Sequence, residues 1–225
     1  MKILIVFFLL VVTCFADIRG KSIYHYAPGL SVNTKDRAVK HKKVKFKLGE
    51  YSSELDNFRD TAIKALHLMS KVFSSEEFRD SLDKYDFPCS NGWYKPCKTP
   101  GNQIINKCDS TDHRVHGNTV YKDLLMEKVV TLNLAIKHPK GKTGSYGWSD
   151  ACIYKISSYS WWLKNNRRQP LSEEYAIHLA HEYCHIVGYY HSREHSRSND
   201  VAYRVGGIVR NILWRWSHSK ENPNS

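Results

Sequence analysis

The sequence predicts an α+β fold in a single domain: a small mixed sheet, a long helix carrying paired histidines, and a C-terminal helix. Three observations lead there. The 225 residues are 41% hydrophobic and 25% charged, which supports one core of ordinary size and excludes a disordered chain. Apolar residues recur at helical spacing after Ser53 and again from Pro170 onward, whereas Val129–Ile136 is a β-branched run. No repeat of roughly 20–50 residues, heptad series or Gly-X-Y pattern is visible, so solenoids, coiled coils and collagen are set aside.

Taken in order, Lys2 precedes an apolar run from Ile3 to Val12, and Thr13-Cys14-Phe15-Ala16 comes next. A basic start, a short apolar stretch and a small-x-small ending describe a secretory signal peptide, residues 1–16. Acylation of Cys14 is the rival, and Thr13 is a poor residue to precede it. No later segment approaches the ~18 apolar residues that a membrane span needs. The protein is therefore expected to be exported, to a periplasm or the medium.

Residues 17–50 read as a basic leader or an edge strand. Lys43-Val44-Lys45-Phe46-Lys47-Leu48 alternates with period two, and lysines on an edge strand oppose unwanted pairing. A patch for an anionic polymer is the competing use of the same cations. A helix is predicted from Ser53 to Phe73, with Leu55, Phe58, Ala62, Ala65, Leu66, Met69 and Phe73 on one side. Ser74-Ser75-Glu76-Glu77 then supplies a cap and an acidic first turn for a short helix through Tyr85, ended by Pro88. A turn-rich cysteine loop leads to the strand Val129–Ile136, and Cys152–Trp162 is the second strand. Pro170, Ser172, Glu173 and Glu174 open a helix that runs to Val187 and stops at Gly188. The last helix starts near Asn199-Asp200, and Gly206-Gly207 within it marks a close approach.

Export also decides how the cysteines are read. With Cys14 in the signal peptide, Cys89, Cys97, Cys108, Cys152 and Cys184 remain, an odd number in an oxidising compartment. Cys184, inside a helix, is assigned as the buried thiol. Cys89 with Cys97 and Cys108 with Cys152 is the suggested pairing, to which spacing alone leaves alternatives. The net charge of +12 suits anionic surfaces or polymers as partners; a stable nucleic-acid complex is not expected, and a monomer is.

The chemistry lies in His181-Glu182-Tyr183-Cys184-His185. Two histidines one helical turn apart leave the same face and can hold one zinc ion, with Glu182 on the flank as general base. Gly188 lets the chain reverse, so that His191 can supply a third ligand. In a chain this rich in histidine, HExxH alone arises by chance about three times in a hundred, and with Gly188 and His191 about once in ten thousand.

His181-Glu182-x-x-His185-x-x-Gly188-x-x-His191 resembles the zinc signature of the metzincin clan of metallopeptidases, over about eleven residues. The resemblance implies a zincin-like domain over residues 51–225, one catalytic Zn2+ on His181, His185 and His191, and Glu182 as base. It departs in one respect. The clan has a methionine turn beneath the metal, but Met1, Met69 and Met126 all precede the histidines. The segment Asp200–Val209 is the candidate to take its place. Tyr203 is the candidate phenol for the oxyanion, with Tyr189 and Tyr190 as competitors. Asp200 is the alternative third ligand of an aspartate-type zincin, and Glu194 and His195 lie close by in the chain. His178 lies one turn before His181, in the cleft or on the surface. Trp161, Trp162, Trp214 and Trp216 are assigned to core or rim.

The implied activity is peptide hydrolysis: a zinc-activated water attacks the carbonyl and Glu182 passes its proton to the leaving amine. A cell-wall peptide amidase and a non-catalytic zinc-containing binding protein are the rivals. With His191 as third ligand, His191→Ala should weaken zinc binding by orders of magnitude and Asp200→Ala should change it little.

Overall fold

The lysine alternation becomes strand β1 (Lys45–Ser53), with Val44 and Phe46 buried and Lys43, Lys45 and Lys47 exposed. The computed structural model describes residues 42–89, 113–141, 143–165, 170–191 and 196–219. The readings made for residues 1–41, Cys97, Cys108, Glu194 and His195 lie outside these. β1 runs across position 50, so the end of the basic segment and the start of the expected domain share one strand. The predicted helix from Ser53 starts later, as α1 (Arg59–Phe73), because Tyr51–Ser53 are held in the sheet and Asn57 turns the chain at φ 56°. α1 closes the start of the β1 edge: the Val44 and Phe46 N–H groups donate to Ser74 Oγ (3.0 Å) and Ser70 Oγ (2.9 Å).

Helix α2 (Glu76–Leu82) begins as the sequence indicates, Ser75 Oγ accepting from the Phe78 N–H at 3.1 Å. It ends before Tyr85, since Asp86–Pro88 forms β2, antiparallel to β3 (Arg114–His116). Helix α3 (Gly117–Leu124) begins at the next residue. None of these three elements is expected from the sequence. Gly117 permits the approach: a Cβ there would lie 1.7 Å from the Leu82 carbonyl oxygen.

Strand β4 (Val129–Lys137) is the expected β-branched run, with Val130, Leu132, Leu134, Ala135 and Ile136 buried. Cys152–Trp162 is not one strand. β5 (Gly147–Asp150) precedes it, a 3-10 turn covers Ala151–Ile153, and Tyr154 at φ 49° leads into β6 (Lys155–Tyr159). Ser160–Asn165 is helix α4, where the Trp162 indole N–H donates to the Tyr146 carbonyl at 2.7 Å. β1, β4 and β6 run parallel and β5 is antiparallel at the far edge, in the order β1-β4-β6-β5.

The described residues all belong to one compact unit, Val39–Ser225. Helix α5 (Leu171–Val187) packs against α1 and against α6 (Val201–His218), and touches β5 and β6. Such a central helix is apolar nearly all round. Tyr183 fixes its sheet-facing side: its ring lies 5.0 Å from Phe46, edge-on, and its hydroxyl donates to the Leu124 carbonyl at 3.2 Å. Phe73 stacks on Phe78 at 4.5 Å beside that group. Cys89 and Cys152 are each in a disulfide, and the suggested partners Cys97 and Cys108 lie outside the described residues; Cys184 is a buried thiol that donates to the Ala180 carbonyl at 3.3 Å. No helix among the described residues is long and apolar enough to cross a membrane.

Candidate active site

α5 ends in a Schellman turn, with Gly188 at φ 105°, its N–H donating to the His185 carbonyl (3.1 Å) and the Tyr189 N–H to the Cys184 carbonyl (2.9 Å). The left-handed glycine sends the chain back beneath the helix and delivers His191. His181, His185 and His191 each offer a ring nitrogen, and these nitrogens all lie within 4.8 Å of one another, close enough to hold a metal ion. His181 Nε2 and His191 Nε2 are 3.2 Å apart. Two nitrogens on one tetrahedral zinc, at about 2.0–2.1 Å each, would be about 3.3–3.4 Å apart. The donor set fits.

Each imidazole is held by its other side. His185 Nδ1 donates to the Tyr189 carbonyl at 2.6 Å, His191 Nδ1 to Asp200 Oδ2 at 2.9 Å, and His181 bonds to the backbone of Ala202. Such partners fix ring orientation and tautomer, leaving Nε2 for a metal. Burial lowers the pKa of His181 well below the ordinary value and that of His185 to about 4, the neighbouring histidines adding to the effect on each. Both are therefore neutral at pH 7, the form that ligates metal.

Asp200 is not placed as a ligand alongside the three histidines. It orients His191 with Oδ2 and caps α6 with Oδ1, which accepts the Tyr203 N–H at 3.0 Å. The first turns of α6 lie against the histidines, where the sequence suggests a substitute for the methionine turn. Gly206 faces Ile177 and His181 of α5 at van der Waals distance, and the Tyr203 ring stacks on His191 at 4.7 Å and meets His181 at 4.8 Å. Tyr203 is 37% exposed, and the Arg197 guanidinium lies over its ring at 5.0 Å. Tyr190 stacks on His185 at 5.8 Å. Tyr189 is turned away, its hydroxyl donating to Asp123 Oδ2 at 2.6 Å.

Glu182 is buried, and its Oε2 has no hydrogen-bond partner among the described residues. Desolvation raises its pKa to about 7; His191 and the Ser149 hydroxyl pull in the opposite direction. Ser149 is not singled out by the sequence. Its proximity to Glu182 comes from the order of the strands, which sets the short β5 beside α5, and no local pattern announces that. His178 is buried, not on the surface. Trp162 is core and Trp161 half-buried against it, whereas Trp214 is 52% exposed. No family model, curated protein or solved structure matches this chain.

Proposed function

We propose that the chain is an exported zinc-dependent endopeptidase of metzincin-like type, hydrolysing peptide bonds with Glu182 as general base. The observation that carries this reading is the unpartnered, buried Oε2 of Glu182 next to three converging imidazoles. A purely structural metal site has no use for such a carboxylate, whose burial costs free energy unless something bonds to it. His181, His185 and His191 would hold the ion. When bound, zinc supplies Lewis acidity toward water and toward a substrate carbonyl.

The protein's own groups do the rest. Glu182 Oε2 takes the proton of the attacking water and returns it to the departing amine. Ser149, on the edge strand beside the same carboxyl, favours its charged form. Tyr203, partly exposed and stacked beside His191, would donate its phenol to the oxygen on which charge develops. Asp200, Tyr189 and Ala202 keep the three rings aligned.

Metal analysis of the purified protein, paired with a peptide-library assay, tests the proposal. About one zinc per chain is expected, with cleavage that a chelator removes and added zinc restores. Bound metal without any peptide cleavage would overturn the enzymatic reading in favour of a closed structural site. The same reading takes residues 1–16 as a removed signal peptide, so intact mass should place the mature start near Asp17 with two disulfides and one thiol. Five thiols would refute export.

A further inference from the structure

The sheet has a second face, turned away from α1 and α5. Phe46 marks the inner one, its ring meeting Phe73 at 5.3 Å and Tyr183 at 5.0 Å. Alternation along the extended chain then sends Lys43, Lys45 and Lys47 to the outer face, all exposed and roughly 6–7 Å apart. Lys45 stands beside Val129 of β4 and Lys47 beside Thr131, and the exposed Lys128 directly precedes Val129. Among the described residues none of these lysines forms an ion pair. The neighbouring Glu127 instead accepts the Tyr154 hydroxyl at 2.6 Å. Protection of the strand edge does not account for the lysines, because the edge N–H groups of Val44 and Phe46 are already taken by Ser74 and Ser70.

Large apolar side chains border these cations. Met126, Val129 and Ile153 are 66%, 46% and 53% exposed. The fold gathers them at one place. The Tyr154–Glu127 bond ties the turn that carries Ile153 to the residues around Met126, and Asn133 Nδ2, on the strand that holds Val129, donates to the Ile153 carbonyl at 2.9 Å. Apolar residues exposed singly are ordinary, but a group of them beside unpaired cations is the composition of a membrane-facing surface.

We propose that this end of the outer sheet face docks on an anionic lipid bilayer. The lysines meet the headgroup phosphates, and Met126, Val129 and Ile153 enter the boundary between headgroups and acyl chains. A soluble polyanion would satisfy the lysines alone and has no use for the aliphatic side chains, whereas a bilayer takes both. His181 and His185 stand on α5, which packs on the other face, so docking leaves that side free. The proposal does not depend on the endopeptidase reading, and its test needs no turnover.

Flotation of the purified protein with vesicles supplies that test. Vesicles of phosphatidylglycerol and phosphatidylcholine in equal parts should carry the protein, and phosphatidylcholine alone should not. A lysine at an anionic bilayer contributes about five-fold in affinity, so Lys43→Gln, Lys45→Gln, Lys47→Gln and Lys128→Gln combined should weaken binding by about 100-fold or more. Arginine at the same positions should bind like wild type. Lys64→Gln with Lys164→Gln, on exposed lysines of α1 and α4, lowers the net charge away from this face and should cost little. Met126→Ser with Ile153→Ser should weaken vesicle binding by about 10-fold, with retention on a dextran sulfate column unchanged. Absence of flotation with the mixed vesicles would overturn the proposal. So would wild-type binding by the glutamine set, or an equal loss per charge in the Lys64 and Lys164 pair. Full vesicle binding by the Met126 and Ile153 variant would overturn it too, in favour of a soluble polyanion.

Discussion

Glu182→Gln will remove nearly all peptide hydrolysis, by about 10²–10⁴-fold in kcat, while zinc remains bound. The amide has the size and shape of the carboxyl, so α5 and its three imidazoles keep their places. What is lost is the capacity to accept a proton at the oxygen that has no other partner. Metal binding does not depend on that oxygen, because the converging donors are those of His181, His185 and His191. Zinc content and steady-state rates measured on the same preparation check both halves. A variant with wild-type turnover would remove Glu182 from the mechanism.

His191→Ala should weaken zinc binding by orders of magnitude, because only two of the three converging nitrogens would remain. The structure changes the expectation for Asp200→Ala. The sequence treats Asp200 as a rival ligand whose loss would matter little if His191 is the third. In the fold it accepts the Nδ1 proton of His191, and losing such a partner costs about 10–100-fold in metal affinity. Chelator competition on both variants gives the comparison. His191→Ala should be the weaker binder, and the reverse order would make Asp200 the ligand and expel His191.

Much of the site could be read from the sequence because it is local. His181, Glu182 and His185 share one helical turn, and Gly188 and His191 come within the next six residues, so helix geometry and one left-handed glycine determine their arrangement. α1, α2, β4, α5 and α6 could likewise be read from periodicity and caps. The failures share a cause. β2 and β3 are three residues each and exist only through each other, and α3 begins at a glycine that reads as a breaker. Cys152–Trp162 has the composition of a strand, yet only Lys155–Tyr159 has a neighbour to pair with. Ser149 reaches Glu182, and Ser158 reaches His178, through strand order, which is a tertiary fact. Asp200 reaches His191 only once α6 has docked on α5.

Asp200 makes one helix end and one of the three converging imidazoles depend on the same carboxylate. Its two oxygens serve the first turn of α6 and the ring of His191, so a force that draws His191 out of line also loosens the start of that helix. A metal held by the three imidazoles would thereby add to the stability of an element whose Val201, Ala202, Val205, Ile208, Val209, Ile212 and Leu213 belong to the hydrophobic core. On the proposed reading, a chelator would act on the beginning of α6 as a local denaturant, and the metal as part of the fold.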